Sequence, residues 1–127
     1  MPYLDATSIA ARIAAREVSA KSVVAAVPAS IAEKNAALNC FTTVLAELAI
    51  AEAEAVDQAI AAGQNPGPLA GVPFGVKDLF DIAGVTTLAG SKINAERPPA
   101  RRDATLVTRL KQAGASLVGA QNMDEYA

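Results

Sequence analysis

Apolar residues recur through the first sixty positions at the three-to-four-residue spacing of helices. Ile9, Ile13 and Ala14 make a short face behind Asp5, Thr7 and Ser8, each of which offers an N-cap oxygen. Val23, Val24, Val27, Ile31 and Leu38 form a second face that Ser19 can cap. Pro28 falls inside it, removing a backbone donor and crowding the preceding turn, so a kink or break is expected there. Asn39 to Val44, with its β-branched and aromatic residues, predicts a short strand. Leu45 to Ala62 has the clearest helical period, through Leu48, Glu52, Ala55, Val56, Ala59 and Ile60, and Gly63 supplies the stop.

The pattern changes at Gly63. Gly63-Gln64-Asn65-Pro66-Gly67-Pro68 is turn-rich and divides a helical layer, residues 1–63, from the start of an α/β core, residues 68–127. Val72 to Leu79 predicts a strand buried on both faces near its start. A long loop follows, through Gly84, Gly90, Pro98 and Pro99. Asp103 is positioned to cap a helix over Ala104 to Ala113, with Leu106, Val107 and Leu110 on one side and Gly114 beyond it. Ser116 to Ala120 predicts a second strand, which makes a strand–crossover helix–strand unit with parallel strands. The fold class is α/β, with a helical N-terminal layer followed by the first strands and crossover helix of a sheet.

Composition narrows the chemistry. The 127 residues are 52% hydrophobic and 19% charged, a globular balance, but only 4% are aromatic, so the core is built largely on alanine. Eleven basic and thirteen acidic residues leave a formal charge of -2, which gives no electrostatic support to nucleic-acid binding. Arg97, Arg101 and Arg102, split by Pro98 and Pro99, read as a solvated loop. Cys40 lies in an apolar run, where a buried and inert thiol is expected. The absence of histidine removes Ser-His-Asp and Cys-His centres and most zinc sites, so no metal or cofactor is implied. With no membrane-length apolar stretch and no signal-peptide pattern, a cytoplasmic protein is the expectation.

The informative segment is Gly71-Val72-Pro73-Phe74-Gly75-Val76-Lys77-Asp78-Leu79-Phe80-Asp81. Alone, a lysine ending a strand simply extends to water. Its surroundings change that. Gly84-Val85-Thr86-Thr87, Gly90-Ser91-Lys92, Asp103-Ala104-Thr105-Leu106-Val107, Leu110 to Ala115 and Asn122-Met123-Asp124-Glu125-Tyr126-Ala127 follow in order. This collinear set resembles the amidase signature family, in which a Gly-(Val/Ile)-Pro strand runs into Lys-Asp. Within the family, Leu88 to Asn94 and the Asn-Met-Asp-Glu block look most like two groups. These are the biuret- and carboxybiuret-hydrolase amidases and the amidase subunit of glutamyl-tRNA amidotransferase.

The resemblance implies that these strands begin a mixed sheet, incomplete in this chain, and it implies a Ser-(cis-Ser)-Lys triad in which Lys77 is the terminal base. Such a base must be neutral, so Lys77 is expected to be buried, in a cleft at the carboxyl end of its strand. Asn122 is the candidate substrate-binding residue, with capping of a following helix as its structural alternative. Asp78 is expected to bond to backbone, Ser91 to be a loop or cap residue, and Lys92 to be a surface charge. Asp124 and Glu125 are expected at a helix N-terminus, where negative charge is favoured. The family's Gly- and Ser-rich motif does not occur, so the chain is expected to be an inactive fragment of a longer reading frame, with exposed apolar surface and open sheet edges. The expected partners are a small amide substrate and either a second copy or a small subunit. Three functions stay open: a hydrolytic amidase, an amidotransferase subunit, and a non-catalytic module on the same scaffold.

Overall fold

A computed structural model describes residues 4–127; Met1 to Tyr3, where the expected helical layer starts, lie outside the described residues. The elements follow as α1 (Ala6–Ala14), α2 (Ala20–Leu38), β1 (Phe41–Val44), α3 (Ala46–Ala61), β2 (Pro73–Lys77), α4 (Thr105–Gln112) and β3 (Ser116–Gln121), with a 3-10 turn over Lys92–Asn94. Local chemistry sets the helix starts. Asp5 Oδ1 accepts from Ser8 N at 2.9 Å and Ser19 Oγ from Ser22 N at 3.1 Å. The start of α2 also has a distant cap. Asp57, on α3, accepts from Ala20 N at 2.8 Å and from Lys21 N at 3.0 Å.

Pro28 does not break its helix, because α2 is continuous from Ala20 to Leu38. Val24 and Ile31, one turn to either side, are both buried and hold the segment onto the core across the missing hydrogen bond. The helix ends at Asn39, which is left-handed at φ 49° and donates its N–H to Asn35 O. Leu38, expected on the apolar face, is 64% exposed. The buried face of α3 is also rotated from expectation. Ala49, Ala53 and Val56 are buried, whereas Ala55 and Leu48 are exposed. Ala20, Ala49 and Ala53 are completely buried, so short side chains let the helix backbones approach closely.

The sheet order is β1-β3-β2, with β3 antiparallel to β1 and parallel to β2. The last strand is therefore the central one. Val118 packs with Ile13, Val24, Ile31 and Val56 on the side of α2 and α3. Leu117 and Ala120 pack with Val76, Ile82 and Val107 on the side of α4 and the long loop. Cover on both faces explains five consecutive buried residues in β3. β2 is less covered than expected, half-buried at Pro73–Gly75 and buried at Val76. No strand pairs with its outer edge among the described residues. The outer edge of β1 is blocked at Phe41, whose N–H and C=O bond to the Asn35 carboxamide at 2.8 and 3.0 Å.

Candidate functional site

Lys77 is the last residue of β2, in register with Gln121 at the end of β3, which in turn pairs with Phe41 of β1. This row ends an open cleft of about 520 Å³ lined by Leu38, Asn39, Cys40, Lys77, Gln121 and Asn122, together with Met123 and Asp124. The two residues singled out in the sequence, Lys77 and Asn122, thus share one cleft at the carboxyl ends of two parallel strands. A larger polar cleft of about 630 Å³ beside α4 contains neither of them.

Lys77 is exposed, contrary to the expected burial, and no ion pair among the described residues involves it. The physical reason is that no strand among the described residues flanks β2 on its outer side and the cleft is open to water. Asn122 is also exposed. It donates through Nδ2 to Asn39 O at 3.1 Å, and its Oδ1 accepts from Met123 N at 2.9 Å. It caps no helix, and Asp124 and Glu125 lie in a turn rather than at a helix start. Cys40 is exposed as well, because it precedes an edge strand and faces the cleft rather than the core.

The loop after β2 is fastened at many points. Asp78 is only 2% exposed. Its Oδ1 accepts from Leu88 N at 2.9 Å and its Oδ2 from Thr42 Oγ1 at 2.7 Å, so it bonds to backbone as expected. Ser91 donates to Glu125, and Asn94 donates to Leu88 O and to the Tyr126 hydroxyl, which ties the loop to the turn after β3. Gly90 is required there: its φ is +70°, and a Cβ would lie 2.5 Å from Asp124 O. Ser91 and Asn94 are buried loop residues, and Lys92 is exposed.

Behind the sheet, Lys111 Nζ lies 2.8 Å from Asp103 Oδ2 and 3.0 Å from Glu52 Oε1. Burial opposes the Lys111 charge, but the two carboxylates outweigh it and hold the ammonium above its ordinary pKa. Burial likewise opposes ionisation of Asp103, but its bonds from Lys111 and Ala83 N bring the carboxyl below the ordinary value. Asp103 therefore does not cap α4; it holds Ala83 N at 2.8 Å and Lys111, while Ala104 takes the cap position of α4 without a side-chain bond. Glu52 Oε2 accepts from Leu117 N at 2.8 Å, next to the β3 bulge, where the strand ladder shifts. Thr42, Asp57 and Gln121 were not marked by the sequence, and Glu52 only as a position on a helical face, because each acts across a long separation. Among the described residues no group of three or more His, Cys, Asp or Glu is placed to hold a metal, and no helix is long and apolar enough to cross a membrane.

Comparison with known proteins agrees on the family. The pattern of the family described as Amidase matches residues 22–127. AtzE of Pseudomonas sp. (strain ADP), which belongs to a 1-carboxybiuret hydrolase, is 54% identical over 91% of the chain. A glutamyl-tRNA(Gln) amidotransferase subunit of Carboxydothermus hydrogenoformans is 42% identical over 98% of it. The chain spans 25% and 26% of these two relatives. Among solved structures, a chain of a vestigial protein complex that reveals the evolutionary origins of an s-triazine catabolic enzyme superposes with a TM-score of 0.95 at 51% identity, covering 98% of this chain and 27% of that one. The native peptide amidase of Stenotrophomonas maltophilia gives 0.88 at 31% identity, covering 99% and 26%.

Proposed function

The chain belongs to the amidase family, and we propose that it supplies the lysine-bearing first part of a single amidase-signature domain. On this reading residues 1–63 are the helical layer and residues 68–127 begin the α/β core. The complete enzyme is a cytoplasmic hydrolase that cleaves a small carboxamide or urea-like C–N bond. The observation that carries the reading is the position of Lys77, at the carboxyl end of a parallel strand and in one cleft with Asn122.

Lys77 is the terminal base of a Ser-(cis-Ser)-Lys triad whose serines come from polypeptide beyond this segment. A free lysine, with a pKa of about 10.4, is almost wholly charged at pH 7. The polypeptide that packs over the cleft must therefore also desolvate the amine, as burial disfavours the charged form. Arginine does not substitute, because it does not lose its proton in proteins. Asn122 orients the substrate from the floor of the cleft.

The test is ammonia release from small ureas and carboxamides by the full-length product of the reading frame. Lys77→Ala should lower kcat by about 10²–10⁴-fold, the usual contribution of a general base. An unchanged rate refutes the assignment. Residues 1–127 alone should be inactive. The alternative, favoured by the 42% identity to an amidotransferase subunit, is that the ammonia passes to a partner enzyme. Turnover that requires tRNA together with a partner protein would select it over the hydrolase. A complete protein without amidase activity under either condition would leave the non-catalytic module.

A further inference from the structure

We propose that Thr42 and Asp78 form a positioning pair for Lys77, set up by a bulge in β1. The pairing of β1 with β3 runs Phe41↔Gln121 and then Thr43↔Ala120, so Thr42 is the extra residue. A bulge turns its side chain out of the regular alternation. The Thr42 hydroxyl consequently reaches across the central strand and donates to Asp78 Oδ2 at 2.7 Å; Ala120 O lies further off, at 3.4 Å.

Asp78 is fixed through all four of its polar groups. Besides the bonds from Thr42 and Leu88, its N–H donates to Gln121 O at 2.9 Å and its C=O accepts from Ala89 N at 2.7 Å. Lys77 precedes this residue directly, and its own C=O accepts from Phe80 N at 3.1 Å. The peptide that carries the lysine is thus held from β1, β3 and the loop together. The buried carboxylate is satisfied by a hydroxyl and an amide and is in no ion pair among the described residues, which suits a clamp rather than a counter-ion. Because Lys77 itself is exposed in the cleft, this segment places it through that backbone anchor, and packing around its amine is left to the polypeptide that covers the cleft.

The proposal rests on Lys77 being the base, and the test separates the two. In the complete enzyme, kcat and KM are measured for Thr42→Val, Thr42→Ser, Asp78→Ala and Lys77→Ala. In the 127-residue chain, hydrogen exchange is followed at Leu88 and Ala89, with the Ala53 amide as a control for the fold. A misplacement of about 1 Å at a reacting group costs up to about 100-fold. Thr42→Val should therefore lower kcat by about tenfold with KM little changed, Asp78→Ala by about 100-fold, and Thr42→Ser should stay near wild type. Exchange at Leu88 should accelerate in Asp78→Ala while Ala53 stays protected. Wild-type kcat in Thr42→Val, or a loss in Thr42→Ser equal to that in Thr42→Val, overturns the pair. Wild-type kcat in Lys77→Ala overturns the base and with it the positioning of a base. If Asp78→Ala unfolds, Ala53 loses protection too, and the Val and Ser variants of Thr42 decide the question alone.

Discussion

Replacing Lys111 by methionine keeps the aliphatic stem and removes the charge between two carboxylates. The three side chains are 22%, 17% and 20% exposed for Lys111, Asp103 and Glu52, so the cluster is neither at the open surface nor in the deep interior. Opposite charges about 4 Å apart attract by about 4 kcal/mol at an effective dielectric constant of about 20, before desolvation is subtracted. Exposed pairs retain about 0–1 kcal/mol, and removing one partner of a buried pair costs about 3–5. For Lys111→Met a loss of about 2–3 kcal/mol follows, since both carboxylates stay committed to Ala83 N and Leu117 N. With a urea m-value of about 2 kcal/mol/M, the midpoint should fall by about 1 M at pH 7.

The pH dependence of that loss has a definite sign. The folded pKa of Asp103 is depressed, so its contribution is present above the unfolded value of about 3.9 and is lost as pH falls through the folded value. The folded pKa of Lys111 is raised, so its contribution is present below about 10.4 and is lost as pH rises through the folded value. The gap between wild type and variant should be flat from about pH 5 to 9 and close on both sides. A difference below about 0.5 kcal/mol at pH 7, or one that persists unchanged in strong acid, refutes the charge-cluster account.

Three further outcomes are expected. Asp57→Ala removes the acceptor of two α2 amides and should cost about 1–2 kcal/mol in urea denaturation, with faster hydrogen exchange at Ala20 and Lys21. Leu117→Ala empties a completely buried site between β2 and α4 and should cost about 2–5 kcal/mol, visible as a lower melting temperature. Cys40 should react with a thiol reagent in the folded chain without denaturant, and protection until unfolding would contradict its exposed position.

Elements governed by neighbours in sequence were legible. Asp5 and Ser19 cap the helices they precede, the α3 pattern stops before Gly63, and the two strands flanking α4 lie parallel. The departures have a common cause in contacts from afar. Core packing carries α2 through Pro28. Asp103 is drawn from its capping role by Lys111, and the turn after Asn122 is held by Ser91, Ala89 and Asn94 instead of winding into a helix. Edge placement exposes Cys40, which local hydrophobicity had marked for burial, and Lys77, whose burial followed from the base role that the resemblance implies. Of the candidate site, the motif singled out Lys77 and Asn122, which line one cleft. The bulge that aims Thr42 at Asp78 is a property of register and has no signature in composition.

The position of β3 between two strands that precede it constrains the order in which the molecule can be made. Among the described residues neither β1 nor β2 has a strand partner until Ser116–Gln121 has been synthesised, and the bond from Thr42 to Ala120 spans 78 positions. On the ribosome, where synthesis proceeds at about 5–20 residues per second, the helices can form early, while both strand edges wait unpaired. Closing such distant pairs is slow, because loop entropy is lost before any contact rewards it. The nascent segment therefore passes through a helical, sheet-less interval in which it is most exposed to chaperones, proteases and aggregation. That interval ends with the emergence of a single strand.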